Sequence, residues 1–276
     1  MELLGGEFLS ISDSEVIKKT KKAELIIFVY HDQSLIAEVG QKIREFNKKV
    51  KIVWWYYDYR KPVKKLDLSF LDALFLCHRE MWPRYKKENK IKKIYYLPQG
   101  APIKNIERIK MIEPIKWDAM FIGSLKSGCI EYDQFHNHRE KLIKKISKKH
   151  KVEIRNSYEQ GNRNLIELNS NYLYKFSPFS LCSSKPFKGY NSNRLYNILS
   201  VNGFCLTNYF PGIEKLFENH KHLTWFKTTD EAIEIMDYYL ANPAKHWKIK
   251  QAGYREFLKN HTCVHRILEI IKTICN

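Results

Sequence analysis

Three short stretches of this chain concentrate groups that can hold an anion. Asn191, Ser192, Asn193 and Arg194 stand at the mouth of a helical pattern whose apolar positions are Leu195, Ile198, Leu199 and Val201. A guanidinium there, beside amides, a hydroxyl and the free N–H groups of a first helical turn, offers several donors to one oxyanion. The plainer reading is a surface arginine near a helix cap. Pro211-Gly212-Ile213 offers amides at a second helix start, with Glu214 in the first turn, where the helix dipole favours a carboxylate. Gly123-Ser124 follows an apolar run and precedes a helix, so its backbone can approach a phosphate closely, and Lys126 can assist. The same pair also describes an ordinary strand-to-loop turn. A different set closes strand-like runs: Asp58, His31 with Asp32, and His78. Such a carboxylate or imidazole can take a hydroxyl proton, or it can simply be a polar residue ending a strand. His136 and His138, two apart with no third ligand, match no metal site.

The elements that must position these groups alternate. Residues 25–30, 50–57, 73–77 and 94–97 are apolar, β-branched or aromatic runs of strand length. Residues 35–46 carry Leu35, Ile36, Val39, Ile43 and Phe46 on one helical face, and 79–88 read as another helix. After a polar, basic connector at 104–116 the pattern resumes. Strands are expected at 117–122, 152–155, 172–176, 204–206 and 222–226, with helices at 135–150 and 162–169. The later helices are expected from Leu195, from Pro211-Gly212, over 229–240, over 243–260 with Pro243 at its first position, and over 262–274. Thr228 or Thr229 can cap the 229–240 helix, with Glu231 near its start. Strands alternating with helices imply parallel, doubly wound α/β sheets, whose ligands lie at the carboxyl ends of the strands. The chain divides naturally into two α/β units at the connector.

Bulk properties exclude several classes. Apolar residues make up 44% of the 276, enough for a real core. No run approaches the roughly 20 apolar residues of a membrane span, and the first residues lack a basic flank before an apolar stretch, so neither an anchor nor a secretion signal is expected. The six cysteines, at 77, 129, 182, 205, 263 and 275, form no CxxC pair; they read as reduced, buried thiols of a cytoplasmic protein. The net charge of +18 is mostly clustered lysine. It describes either solvated helix faces or attraction to an anionic partner such as a nucleotide-sugar, a nucleic acid or an anionic lipid surface. Lysine reads bases poorly compared with arginine, which argues against sequence-specific DNA recognition.

The segments NRLYNILSVNGFCLTNYFPGIEKLF (193–217), TTDEAIEIMDYYLANP (228–243) and AGYREFLKNHTCVHRILEI (252–270) resemble the C-terminal half of group-1 glycosyltransferases of the spore-maturation, CgeB-like type. WWYYDYRKP (54–62), DALFLCHRE (72–80), IYYLPQGAP (94–102) and WDAMFIGSL (117–125) resemble the same family more loosely. The resemblance implies a GT-B fold, in which two facing Rossmann-like domains flank a cleft. Residues 1–112 would form the acceptor-side domain and 113–260 the nucleotide-sugar domain, with a last helix at 261–276 crossing back to the first.

It also implies a glycosyltransferase that moves a sugar from a nucleotide-diphosphate donor to a saccharide, protein, lipid or nucleic-acid acceptor. No cofactor or metal is implied beyond the donor itself. The donor set would be Gly123, Ser124, Lys126, Asn193, Arg194, Asn197, Pro211, Gly212, Ile213 and Glu214. Arg194 would meet the diphosphate and Glu214 would accept from the ribose hydroxyls. Asp58 and His31 are the acceptor-side candidates for catalysis, needed as a base only if the reaction inverts. Two departures stand out. Asn197 occupies a place where many group-1 enzymes carry glutamate, and an amide cannot bear negative charge or act as a base. The front end, residues 1–24 with Gly5-Gly6, is a weak version of the usual strand and glycine loop, so the first domain looks trimmed. These departures motivate the alternative of a non-catalytic GT-B-like binding protein; the charge motivates a transferase that modifies DNA.

Overall fold

The computed structural model describes residues 15–57, 66–80, 82–123, 125, 133–155, 163–185 and 187–275. The chain forms two compact units. The first comprises Met1–Gln99, Phe187–Tyr190 and Val264–Asn276; the second comprises Gly100–Pro186 and Asn191–Cys263.

In the first unit, helix α1 (Val16–Lys19) and a 3-10 turn (Thr20–Lys22) precede β1 (Leu25–Phe28), α2 (Gln33–Phe46), β2 (Lys51–Tyr56), β3 (Ala73–Leu76), α3 (Trp82–Glu88) and β4 (Ile94–Tyr96). The four strands are parallel, in the order β1-β2-β3-β4, with Ile26 beside Ile52, Trp54 beside Leu74 and Leu74 beside Ile94. Asp32 starts α2 by accepting from the N–H groups of Ser34 and Leu35, at 3.0 and 3.1 Å. Ile36 and Ile43 of that helix pack with Trp54, Tyr56, Leu74, Leu76 and Tyr85 in one apolar cluster. Trp54, Trp55 and Tyr56 are core residues, and the Trp54 indole N–H donates to the Tyr30 carbonyl at 3.0 Å. Arg44 closes the amino edge of the sheet, donating at 2.6 Å to Asp72, which also accepts from the Ile52 N–H. The carboxy-terminal segment belongs to this unit through buried Arg266, whose Nε donates to the Gln99 carbonyl at 3.0 Å.

The second unit runs β5 (Ala119–Ile122), α4 (Asp133–Ile146), β6 (Val152–Arg155), α5 (Arg163–Phe176), β7 (Phe179–Cys182), α6 (Asn193–Ser200), β8 (Cys205–Asn208), a 3-10 turn (Ile213–Lys215), β9 (Thr224–Phe226), α7 (Thr229–Ala241) and α8 (Pro243–Asn260). The last helix, α9 (Cys263–Cys275), follows. Its five parallel strands take the order β6-β5-β7-β8-β9. A parallel sheet needs cover on both faces. One face carries Leu195, Ile198, Leu199 and Phe257, the other Ile143, Ile146, Ile235, Met236 and Ile249. The basic connector is fixed to this unit: Tyr172 Oη donates to the Glu113 carbonyl at 2.7 Å, and Lys175 Nζ donates to Ile109 O at 2.7 Å and also to Ile106 O. Ala101 pairs with Thr262. The second unit therefore begins at Gly100, ahead of the connector.

Two local expectations change. Residues 172–176 are the last turns of α5, and the strand lies later, at Phe179–Cys182. Aromatic side chains favour strands as a type, but Leu173 and Tyr174 face the buried cluster within a 14-residue helix. Pro211-Gly212 opens only the 3-10 turn Ile213–Lys215 rather than a full helix. Gly212 takes φ +102° and turns the chain sharply before it. Capping at Thr228 holds as read, with its Oγ1 accepting from the Glu231 N–H at 3.2 Å. Among the described residues, no helix is long and apolar enough to cross a membrane, and no cluster of His, Cys, Asp or Glu has the makings of a metal site.

Candidate functional site

Because the strands of the second sheet are parallel, the loops that follow them emerge at one edge. Gly123 follows β5, the amino end of α6 follows β7, and Pro211–Glu214 follow β8. β5 and β8 are separated only by β7, so their loops are about 10 Å apart at the usual strand spacing.

Arg194 and Gly123 meet. Ser192 caps α6, its Oγ accepting from the Arg194 N–H at 3.3 Å, and the Arg194 side chain curls back to the end of β5. There Nε donates to the Ile122 carbonyl at 2.8 Å, and the guanidinium lies over the Phe121 ring, 4.6 Å from its centroid. Gly123 has φ +147°, and a Cβ at this position would stand 2.5 Å from Arg194 Nη2. Glycine is thus required both by the backbone and by the guanidinium beside it. Among the described residues, Arg194 Nη1 is buried and finds no acceptor. A buried, unspent charged donor is costly unless something accepts from it.

The surrounding loops are tied together by polar contacts that sequence inspection did not single out. Asn208, the last residue of β8, accepts from the Ser184 N–H at 2.8 Å, and Ser184 Oγ accepts from the Ser192 N–H at 3.3 Å. The loop after β7, the end of β8 and the cap of α6 form one network. A polar residue at the end of a strand was the available signal for Asn208, but nothing local pairs it with Ser184. Cys182, Cys205 and Tyr174 lie close enough to the guanidinium to feel its charge. Burial pushes the Tyr174 hydroxyl up to about 12 against the opposing charge of Arg194, so it stays neutral. Burial likewise raises the Cys205 thiol. Cys77, Cys182 and Cys205 are buried thiols that are not joined in disulfides.

The remaining nominated residues are more scattered. Asn193, the first residue of α6, is exposed; Asn197, one turn on, is half-buried. Ile213 is buried under the sheet edge, while Pro211 and Glu214 are exposed. Glu214 Oε2 accepts from the Gly212 N–H at 3.1 Å, so its carboxylate braces its own turn. Ser124, Lys126 and Asp58 lie outside the described residues. In the first unit His31 follows β1 and stacks on Tyr30, with ring centroids 4.9 Å apart. His78, buried after β3, lies at the same edge of that sheet.

The family model described as "Glycosyl transferase-like" matches residues 110–272. That is more than half of the chain, and the protein belongs to this family. No curated protein matches it in sequence. Among solved structures it is similar to an alpha-glucosyltransferase in complex with UDP-glucose and DNA containing an abasic site. That match has TM-score 0.60 and 11% identity, and covers 95% of this chain and 83% of the other. It is also similar to Anabaena Alr3699/HepE in complex with UDP-glucose, with TM-score 0.59 and 10% identity over 95% and 81% of the two chains. Sucrose-phosphate synthase from Thermosynechococcus elongatus matches with TM-score 0.54 and 10% identity over 93% and 74%. The fold is α/β of the GT-B class, with two Rossmann-like units.

Proposed function

We propose that this protein is a glycosyltransferase that takes a sugar from a nucleotide-diphosphate donor held on its second unit. The observation that carries the reading is Arg194 Nη1, a buried charged donor without an acceptor among the described residues, set beside Gly123 at the carboxyl edge of a parallel sheet. Departure of a nucleoside diphosphate builds negative charge on the leaving group, and fixed donors aimed at it lower the barrier. In this reading Arg194, Lys126 and the amides near Gly123 and Ser124 meet the pyrophosphate, so no bound cation is called on. Asn193 and Asn197 add hydrogen bonds along α6. Glu214 releases the Gly212 N–H and accepts from the ribose hydroxyls, a distance of two strand spacings from Gly123 that one nucleoside diphosphate can span. Asp58 and His31 stand on the acceptor side, and the CgeB-like subtype belongs to the same reading. That UDP or UDP-glucose occupies the alpha-glucosyltransferase and HepE structures supports a uridine nucleotide as the first probe.

The test is thermal unfolding with UDP, GDP and ADP. A ligand at a hundred times its Kd stabilises the native state by about 2.7 kcal/mol, an upward shift of several degrees. Arg194→Ala and Glu214→Ala are expected to remove it. Indifference of the wild-type protein to every nucleoside diphosphate would defeat the proposal.

A second reading concerns the acceptor. The net charge of +18 and the DNA present in the alpha-glucosyltransferase complexes favour a nucleic-acid acceptor over a neutral glycan.

A further inference from the structure

The Phe121 ring serves two guanidiniums, not one. Arg194 reaches it from α6, 4.6 Å from the centroid, and Arg139 reaches it from α4, 5.4 Å away. Phe121 is fully buried, the third residue of β5, and the chain turns at Gly123 two residues later. Both helices follow strands of one parallel sheet, α4 after β5 and α6 after β7. Their two arginines therefore converge on the end of β5 from different sides of the chain's path.

Two like charges gathered at one ring repel each other. A ligand with several negative charges turns the same geometry into an advantage. A diphosphate needs more than one cation, and guanidinium forks match phosphate oxygens two at a time. Arg194 still has Nη1 to give.

We infer that Arg139 is a second phosphate-binding arginine of the donor site, held in place with Arg194 by stacking on Phe121. The inference rests on the donor reading given above and adds a specificity to it. With two guanidiniums the site prefers a diphosphate to a monophosphate, and Arg139 contributes to that preference rather than to nucleoside recognition.

The experiment is calorimetric titration of the full-length protein with UDP, UMP and inorganic pyrophosphate. Arg139→Met keeps an apolar stem against Phe121 and removes the charge; Arg139→Lys keeps the charge and loses the fork. Arg139→Met should weaken UDP and pyrophosphate binding at least tenfold, change UMP binding less than threefold, and flatten the salt dependence of UDP binding. Arg139→Lys should recover part of the preference for UDP over UMP. Equal loss for UDP and UMP, or UDP binding unchanged in a folded Arg139→Met protein, would make Arg139 a packing residue and overturn the inference alone. If Arg139→Met does not fold, Arg139→Lys decides: a UDP-to-UMP preference equal to wild type with the fork gone, and equal salt dependence, counts against a phosphate contact. A wild-type protein that binds none of the three, nor GDP or ADP, removes the donor reading and this inference with it.

Discussion

A methyl group at position 123 would stand 2.5 Å from Arg194 Nη2 on a backbone with φ +147°. Gly123→Ala therefore tests backbone and guanidinium at once. The strained φ should cost about 1 kcal/mol or more in urea unfolding. UDP affinity should fall at least tenfold as the guanidinium leaves the Phe121 ring. Retained affinity would mean that Arg194 does not need that seat. Lys250 offers a second single-residue test. Burial, with repulsion from Lys175, lowers its ammonium from 10.5 to about 8, while its Nζ donates to the Lys175 carbonyl at 2.9 Å. The folded state then binds fewer protons than the unfolded state between those two values. Stability from this group rises as pH climbs from about 8 to 10.5, and the penalty is fully present below 8. Relative to Lys250→Met, the wild type should gain up to about 3 kcal/mol across that window in urea unfolding. Parallel pH profiles would show that Lys250 is not held in an unfavourable site.

At the scale of elements, α8 packs closely against the loop before β9. A Cβ at Gly253 would lie 2.1 Å from the His222 carbonyl oxygen, a backbone atom that cannot rotate away. Gly253→Ala should destabilise the second unit by roughly 1–3 kcal/mol or more, read as a lower urea midpoint with an unchanged slope. Elements of this kind were largely legible in the sequence. The helix Pro243–Asn260 begins at its proline and ends where expected, and Thr228 caps α7. The strand Phe179–Cys182 was hidden because the aromatic stretch Tyr172 to Phe176 just before it reads as the strand. Tertiary burial overrode that local signal. For the candidate site, Gly123 and Arg194 were readable because a glycine after an apolar run and a polar helix mouth are local patterns. The sharing of Phe121 by Arg139 and Arg194, and the link from Asn208 through Ser184 to Ser192, were not. Each joins residues from different strands or helices, and no periodicity records such a meeting.

For the molecule as a whole, the surplus of 18 positive charges sets how it meets large anions. If DNA is the acceptor, duplex binding should weaken steeply with salt, with a log–log slope of roughly −0.9 per phosphate neutralised. Gel-shift titrations across a salt series measure this, and a flat series would leave the charge as solvated surface and discard the DNA acceptor. The segment composition carries one more consequence. The amino-terminal unit takes in Val264–Asn276, where Ile270 is fully buried and Arg266 holds Gln99. Domains synthesised first usually mature first. Here the strands between Leu25 and Tyr96 stay incompletely covered until residues 264–276 have been made, whereas the second unit has all of its parts by Cys263. A ribosome stalled within α9 would release a chain whose earlier-made unit still lacks its closing segment.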